Sequence, residues 1–358
     1  MVVSAEKSRQ GQPSLCFSRP VGSTVPAASL PAEDLLFNLQ RFPSEGCWAF
    51  CRFASEEVPA VRMGFQKGGF NIGAFEYDPD PSLLQLHLEI MCRDGGVLWL
   101  PTGRFPAGRI EFDDSSRSVI LRHNSRDILR VHGWPKMEWH FQSDDGEAEV
   151  RLETTVNSVT VLPDCLLPHC VFAMWESMGT ARGTVRWQER TVAVEGSIFY
   201  DHPRVLCRSN AVTPRVMYLY TTMRFEDGSG IFGYHAVDAE ASPIAYYCFG
   251  VHVDPKGNGR FLPAARLDGL LIDRDSLPCA WRLAWGDDLL QVEADVRVQD
   301  LGILRSWGSP HAPVQRGEYS IIPLVLDCDA RVSERGQPAH SLRGRGLAEY
   351  FNAELWKL

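Results

Sequence analysis

The sequence predicts an all-β protein built as two antiparallel β-barrels in tandem, and three observations carry that expectation. Apolar residues alternate with polar ones in short runs, turn residues separate the runs at close intervals, and helical periods hardly appear. The runs amount to about twenty strands, more than a single closed barrel ordinarily uses. Two barrels accommodate them.

In order along the chain, residues 1–32 hold Ser4, Ser8, Gly11, Pro13, Ser18, Pro20, Gly22, Ser23, Pro26 and Pro31 with no period, which reads as a mobile tail. From Glu33 onward come strand-length segments at Trp48–Phe53, Val61–Phe65, Phe70–Tyr77, Leu83–Cys92 and Val97–Leu100. Gly68-Gly69, Asp78-Pro79-Asp80-Pro81 and Arg93-Asp94-Gly95-Gly96 punctuate them as a β-meander. Alternation is strict over Leu84–Ile90: Leu84, Leu86, Leu88 and Ile90 face one way, and Gln85, His87 and Glu89 the other. Further strands are expected at Arg109–Phe112, Ser118–Arg122, Asp127–Val131, Glu138–Gln142 and Glu147–Val156.

An irregular stretch with Pro163 and Pro168 leads into Gly183–His202, a hairpin of Val185, Trp187, Val192 and Val194 around a polar turn that ends in Asp201-His202. Pro203, Ser209, Asn210 and Pro214 then interrupt the periodicity. This places a first barrel at 33–202 and a second at 203–358. In the second, Arg215–Phe225 and Gly230–Val237 flank the hairpin turn Glu226-Asp227-Gly228-Ser229. Strands are expected after it at Ala245–Val253, Gly259–Phe261, Leu267–Ile272, Ala280–Ala284, Leu289–Val298, Tyr319–Asp329 and Gly344–Phe351.

Composition excludes several function classes. In 358 residues, 36 basic against 45 acidic side chains give a net charge of −9 with no long basic run, which argues against a nucleic-acid footprint. Ten scattered cysteines show neither a disulfide framework nor zinc-finger spacing, so they are expected as reduced, buried small hydrophobes. The N-terminal residues lack a secretory pattern and no apolar run reaches transmembrane length, so the cytoplasm is expected, with peripheral membrane contact left open. There is no Gly-rich phosphate loop, Gly-x-Ser-x-Gly elbow or His-Glu-x-x-His helix, and the ten histidines are isolated. No metal and no cofactor is expected.

What remains is aromatic, apolar and sparsely polar. Tyr218, Tyr220, Thr222 and Arg224 share one face of a strand whose other face carries Leu219, Met223 and Phe225, so the tyrosines either line a cavity or serve as ordinary core. In the next strand Tyr234 and His235 are expected to reach the same cavity end. Asp201-His202 has two open readings, a structural pair closing a strand or a proton donor aimed into an apolar pocket, where burial would keep a carboxylic acid protonated.

The ordered segments resemble the AttH and carotenoid 1,2-hydratase superfamily. The matching pieces are Gly183-Thr184-Val185 with Val192-Ala193-Val194-Glu195-Gly196 and Phe199-Tyr200-Asp201-His202, then Tyr218–Gly228, then Gly344-Arg345-Gly346-Leu347-Ala348-Glu349-Tyr350. This chain departs from the family pattern in having Phe199 where a tryptophan is usual, and Arg204-Val205 where Trp-Gly is usual. The resemblance implies two lipocalin-like barrels and a cofactor-independent cyclase, isomerase or hydratase, Diels-Alderases included. Its substrate would be a hydrophobic terpenoid or polyketide-type polyene of natural-product biosynthesis, folded in an apolar cavity at the barrel junction. The expected catalytic residues are Asp201 as acid and His202 as orienter or proton relay. Trp187, Tyr200, Tyr218, Tyr220, Tyr234 and His235 are expected to contact substrate. The alternatives are a non-catalytic lipocalin-like carrier of a lipophilic ligand, or a structural protein with filled barrels.

Overall fold

In the computed structural model, two twisted antiparallel sheets stand back to back, one curled into a half-barrel and the other into a nearly closed barrel. The residues described are 11–35, 37, 41–67, 76–77, 83–93, 97–99, 103–106, 110–115, 118–123, 125–143, 146–167, 170–187, 189–207, 211–212, 217–238, 240–244, 247–272, 277–299 and 322–352.

The first sheet is built from β1 (Thr24–Pro26), β2 (Ser44–Phe53), β3 (Ala60–Lys67), β5 (Leu83–Met91), β6 (Val97–Trp99), β7 (Gly103–Pro106), β8 (Ile110–Ser115), β9 (Ser118–His123), β10 (Arg126–His132), β11 (Lys136–Gln142), β12 (Ala148–Val161), β13 (Cys165–Leu167), β14 (Cys170–Trp187) and β15 (Arg190–Cys207). A short pair, β4 (Glu76–Tyr77) with β16 (Ala211–Val212), stands apart. The second sheet comprises β17 (Met217–Phe225), β18 (Gly230–Val237), β19 (Phe249–Val253), β20 (Gly259–Leu262), β21 (Ala264–Ile272), β22 (Pro278–Gly286), β23 (Leu290–Val298), β24 (Ile322–Glu334) and β25 (His340–Asn352). The only α-helix among the described residues, α1, spans Ala32–Leu35, just after a 3-10 turn at Ala27–Ser29. The all-β expectation is therefore met.

Strand alternation sorts the apolar residues into three cores. Cys47, Ala49, Cys51 and Phe53 of β2, Val61, Met63 and Phe65 of β3, and Trp175 of β14 face the first sheet's concave interior, together with Leu84, Leu86, Leu88 and Ile90 on the face expected of them. Leu219, Met223, Trp281, Trp285, Leu326 and Tyr350 fill the second. A third core lies in the seam between the sheets, where Phe50, Met174, Met178 and Phe199 meet Tyr218, Tyr220, Phe232, Tyr234, Phe249 and Leu347. A sheet with both faces covered has both of its side-chain rows buried. That is why Ala60–Gln66 of β3 is buried at every position.

Residues 11–32, expected as a mobile tail, are instead a strap laid over the first sheet. Cys16, Phe17, Val21, Ala27 and Leu30 are buried, and β1 pairs with β12 through Thr24↔Thr160. The strap is bound by specific hydrogen bonds: Asp164 accepts from Ser14 Oγ and Leu15 N–H, Trp134 Nε1 donates to Ala27 O, and Trp175 Nε1 donates to Asp34 O. A composition of Ser, Pro and Gly hides this, because the strap buries few residues and satisfies its backbone through side chains of distant strands. Residues 1–10 and most of the strand expected at Phe70–Tyr77 lie outside the described residues.

The hairpin ending in Asp201-His202 is longer than expected: β14 and β15 pair residue for residue from Cys170↔Cys207 to Trp187↔Arg190. β15 remains in the first sheet to Cys207, and the second sheet begins with β17 at Met217. Cys16, Cys47, Cys51, Cys92, Cys248 and Cys328 are buried free thiols, whereas Cys279 is exposed. Among the described residues no helix is long and apolar enough to cross a membrane.

Candidate active site

Asp201 and His202 are neighbours in sequence and point to opposite sides of β15, since successive side chains on a strand alternate. His202 turns into the first barrel's interior, 1% exposed, where its ring stacks 5.3 Å from that of Trp175. Its Nε2 lies 2.8 Å from Glu45 Oε1, which also accepts from Arg204 Nε at 2.6 Å. Arg204 in turn donates to Cys16 O and Glu33 O and lies over the rings of Phe17 and Phe42, so this network clamps the N-terminal strap. Burial holds the His202 imidazole below its usual pKa. Burial alone would raise Glu45, but its bonds to His202 and Arg204 outweigh that and lower it. The pair is thus an Arg204–Glu45 ion pair with a neutral His202 donating Nε2–H. The expected relay from Asp201 to His202 is corrected: a sheet backbone separates them.

Asp201 faces the seam, 6% exposed, and directly opposite it on β14 is Glu176, 1% exposed. Residues opposite each other in an antiparallel pair place their side chains side by side on one face. Arg62 on β3 is the cation of this group: it bonds Glu89 of β5 at 2.8 Å and, across the seam, Glu349 of β25 at 2.5 Å. From the second sheet Tyr220 donates to Glu176 Oε2 at 3.0 Å and Tyr218 to Glu349 Oε2 at 3.4 Å. The Tyr234 hydroxyl lies 3.4 Å from Met174 Sδ, and its ring stacks on Tyr220 at 4.5 Å. Phe50 meets Tyr220 edge-on at 5.6 Å, and Trp48 lies beside Arg62. Four carboxyls and one guanidinium therefore share a dry, aromatic-walled seam.

The charge count determines the protonation. Arg62 pairs directly with Glu89 and Glu349, so among the described residues Asp201 and Glu176 have no ion-pair partner, and the Arg62 charge opposes the rise at Asp201 only in part. Burial, reinforced by the charges of Glu176 and Glu349, pushes the Asp201 carboxyl well above the usual range, against a backbone N–H from Trp48 that favours its ionised form. Burial likewise raises Glu176, to about 8, although the Tyr220 hydroxyl favours its carboxylate. Glu89 is also raised by burial, with Arg62 opposing. Asp201 Oδ1, Glu176 Oε1 and Glu89 Oε2 have no hydrogen-bond partner among the described residues. An unsatisfied buried carboxyl oxygen costs about 1–3 kcal/mol, which a substrate or its transition state can recover. Among the described residues the acidic groups do not converge into a metal site.

Of the eight expected site residues, the seam therefore gathers Asp201, Tyr218, Tyr220 and Tyr234. Trp187 and Tyr200 point with His202 into the first barrel, Tyr200 amid Trp134, Trp139 and Trp175. His235 faces away from Tyr234, onto the second barrel's interior side, beside Cys248 Sγ at 3.8 Å, so the two do not share a cavity end. Sequence reasoning missed Glu176, Arg62, Glu89 and the role of Glu349. The available signal was a charge embedded in an apolar strand, as in Ala173-Met174-Trp175-Glu176, and the position of Glu349 in the quoted C-terminal motif.

No family profile and no curated protein matches the sequence. Among solved structures, the chain is similar to an AttH protein from Nitrosomonas europaea, with TM-score 0.51 at 12% identity over 92% of this chain and 98% of that one. It also aligns with kievitone hydratase from Nectria haematococca (TM-score 0.48, 9% identity, 96% and 100% covered) and with CghA bound to Sch210972 (0.46, 11%, 87% and 89%). The Nitrosomonas chain establishes a fold in common, which the sequence resemblance had implied.

Proposed function

We propose that the chain is a cofactor-independent enzyme that cyclises, isomerises or hydrates a hydrophobic terpenoid- or polyketide-type polyene in the seam between its two sheets, with Asp201 as the proton donor. The observation that carries this reading is the Asp201 carboxyl: buried among aromatic walls, with Oδ1 unsatisfied among the described residues, it is pushed well above the usual carboxylate range, toward its protonated form. A neutral carboxylic acid in a dry site is the group that protonates an unactivated double bond. The rings of Trp48, Phe50, Tyr218, Tyr220 and Tyr234 line the surroundings in which a developing cation would be stabilised. Few polar groups are needed beyond these, because folding a flexible polyene into its reactive conformer supplies much of the rate. His202, in this reading, shapes the first barrel and takes no part in the chemistry.

The test is turnover of candidate polyenes, chosen from the pathway encoded beside the gene, by the wild type and Asp201→Asn. A loss of about 100-fold or more with the fold retained is expected, in the range of general acid catalysis. An unchanged rate would remove the acid role and leave a pericyclic catalyst or a carrier.

A further inference from the structure

We propose that Glu176 is a second catalytic carboxyl, which forms with Asp201 a proton-sharing pair that gives a proton to one carbon of the substrate and takes one from another. This rests on the assignment of the seam as the active site and narrows its chemistry to isomerisation or cyclisation without uptake of water.

The geometry carries the inference. Glu176 and Asp201 are register partners on adjacent antiparallel strands, so their carboxyls stand side by side on the seam face. Each keeps one oxygen, Glu176 Oε1 and Asp201 Oδ1, without a hydrogen-bond partner among the described residues. Their settings differ in a way that divides the labour. Glu176 accepts from the Tyr220 hydroxyl at 3.0 Å, which favours its carboxylate, whereas Asp201 has only the Trp48 backbone N–H. Two adjacent carboxyls in a dry site resist double ionisation, and their protons leave in two separated steps. The groups facing the pair from the elements packed on it are Arg62 of β3, Glu89 of β5, Glu349 of β25, Tyr218 and Tyr220 of β17, and Tyr234 of β18. Arg62 is bonded to Glu89 and Glu349, and its charge offsets the rise at Asp201 only in part.

In the step this implies, the Asp201 O–H bond breaks and its proton forms a C–H bond at one alkene carbon, leaving a tertiary cation. The cation either stays or closes a ring on a second double bond. A C–H bond next to the final cationic centre then breaks, its electron pair becomes the new C=C, and its proton goes to Glu176 in its carboxylate form, which is populated as the pH approaches about 8. Transfer of that proton to Asp201 restores the pair. Substrate and product are isomers, and no oxidant, water or cofactor enters.

The pair is tested without substrate by infrared titration of the protonated-carboxyl band in the full chain, for the wild type, Glu176→Gln, Asp201→Asn and Tyr220→Phe. Glu176→Gln should lower the Asp201 midpoint by about one pH unit or more, because the neighbouring charge is gone, whereas Asp201→Asn should leave the Glu176 midpoint near its wild-type position, Asp201 being neutral when Glu176 ionises. Tyr220→Phe should raise the Glu176 midpoint and serves if an acidic variant fails to fold. An Asp201 midpoint that ignores the removal of Glu176 would overturn the pair while leaving Asp201 as a lone acid. A ligand arm uses N,N-dimethylgeranylamine, protonated at neutral pH, as a mimic of the cation, with geranate as the anionic control. The amine should bind at least tenfold tighter than geranate, and the double variant Glu176→Gln/Asp201→Asn should erase that preference. Equal binding of amine and geranate to the wild type would overturn the inference. If instead turnover proves independent of Asp201, the active-site assignment fails, whatever the titration shows.

Discussion

At the scale of the residue, alternation along β15 separates two adjacent side chains into two jobs. Asp201 enters the seam, and His202 joins Glu45 and Arg204 in a buried network that ties down the strap. Removing one partner of such a buried ion pair strands the other's charge. Glu45→Gln is therefore expected to cost about 3 kcal/mol, read as a lower urea midpoint with an unchanged slope. Glu176 gives a second residue-level prediction. Burial pushes its carboxyl from the ordinary 4.5 up to about 8 in the folded chain, so between those pH values the native state binds more protons than the unfolded one. Stability from this group is intact below pH 4.5 and is lost as pH rises to about 8. Glu176→Gln has no proton to lose and should flatten this decline, gaining on the order of 3 kcal/mol over wild type at the alkaline end of the window. Chemical denaturation across that pH range measures it, and parallel profiles for the two proteins would contradict the buried, protonated Glu176.

At the scale of the element, the long strands depend on positions where neighbouring backbones leave no room. A Cβ built on Gly346 of β25 would lie 1.7 Å from Thr222 O on β17, the strand that carries Tyr218 and Tyr220. Gly346→Ala must push these strands apart and should destabilise by more than about 3 kcal/mol, seen as a lowered melting temperature and faster amide exchange in β17. The strap shows the complementary case. It is held in place without a strand's pattern, because the side chains of Trp134, Asp164, Trp175 and Arg204 accept or donate for its backbone. Periodicity reports elements whose own faces divide core from solvent, and the strap has no such face.

At the scale of the whole molecule, the two sheets are joined through one buried seam, which is both a core and the candidate active site. A fragment of residues 1–207 would expose the Phe50, Met174, Met178 and Phe199 face together with unpaired Asp201 and Glu176. It should bind a hydrophobic dye and aggregate, whereas the intact chain should do neither; a monomeric, dye-silent fragment would show that the seam contributes little. The sequence by itself determined the all-β class, the hairpin turn at Glu226–Ser229, the common facing of Leu84, Leu86, Leu88 and Ile90 and the shared face of Tyr218, Tyr220 and Thr222, because each is local: the period of a strand is two wherever it lies. Only the tertiary structure decided that Asp201 meets Glu176, Arg62 and Glu349 while His202 meets Glu45 and Arg204. Contacts between residues 25 to 287 positions apart depend on sheet order and on the stacking of the sheets, and alternation tells that two faces differ without telling what each one meets.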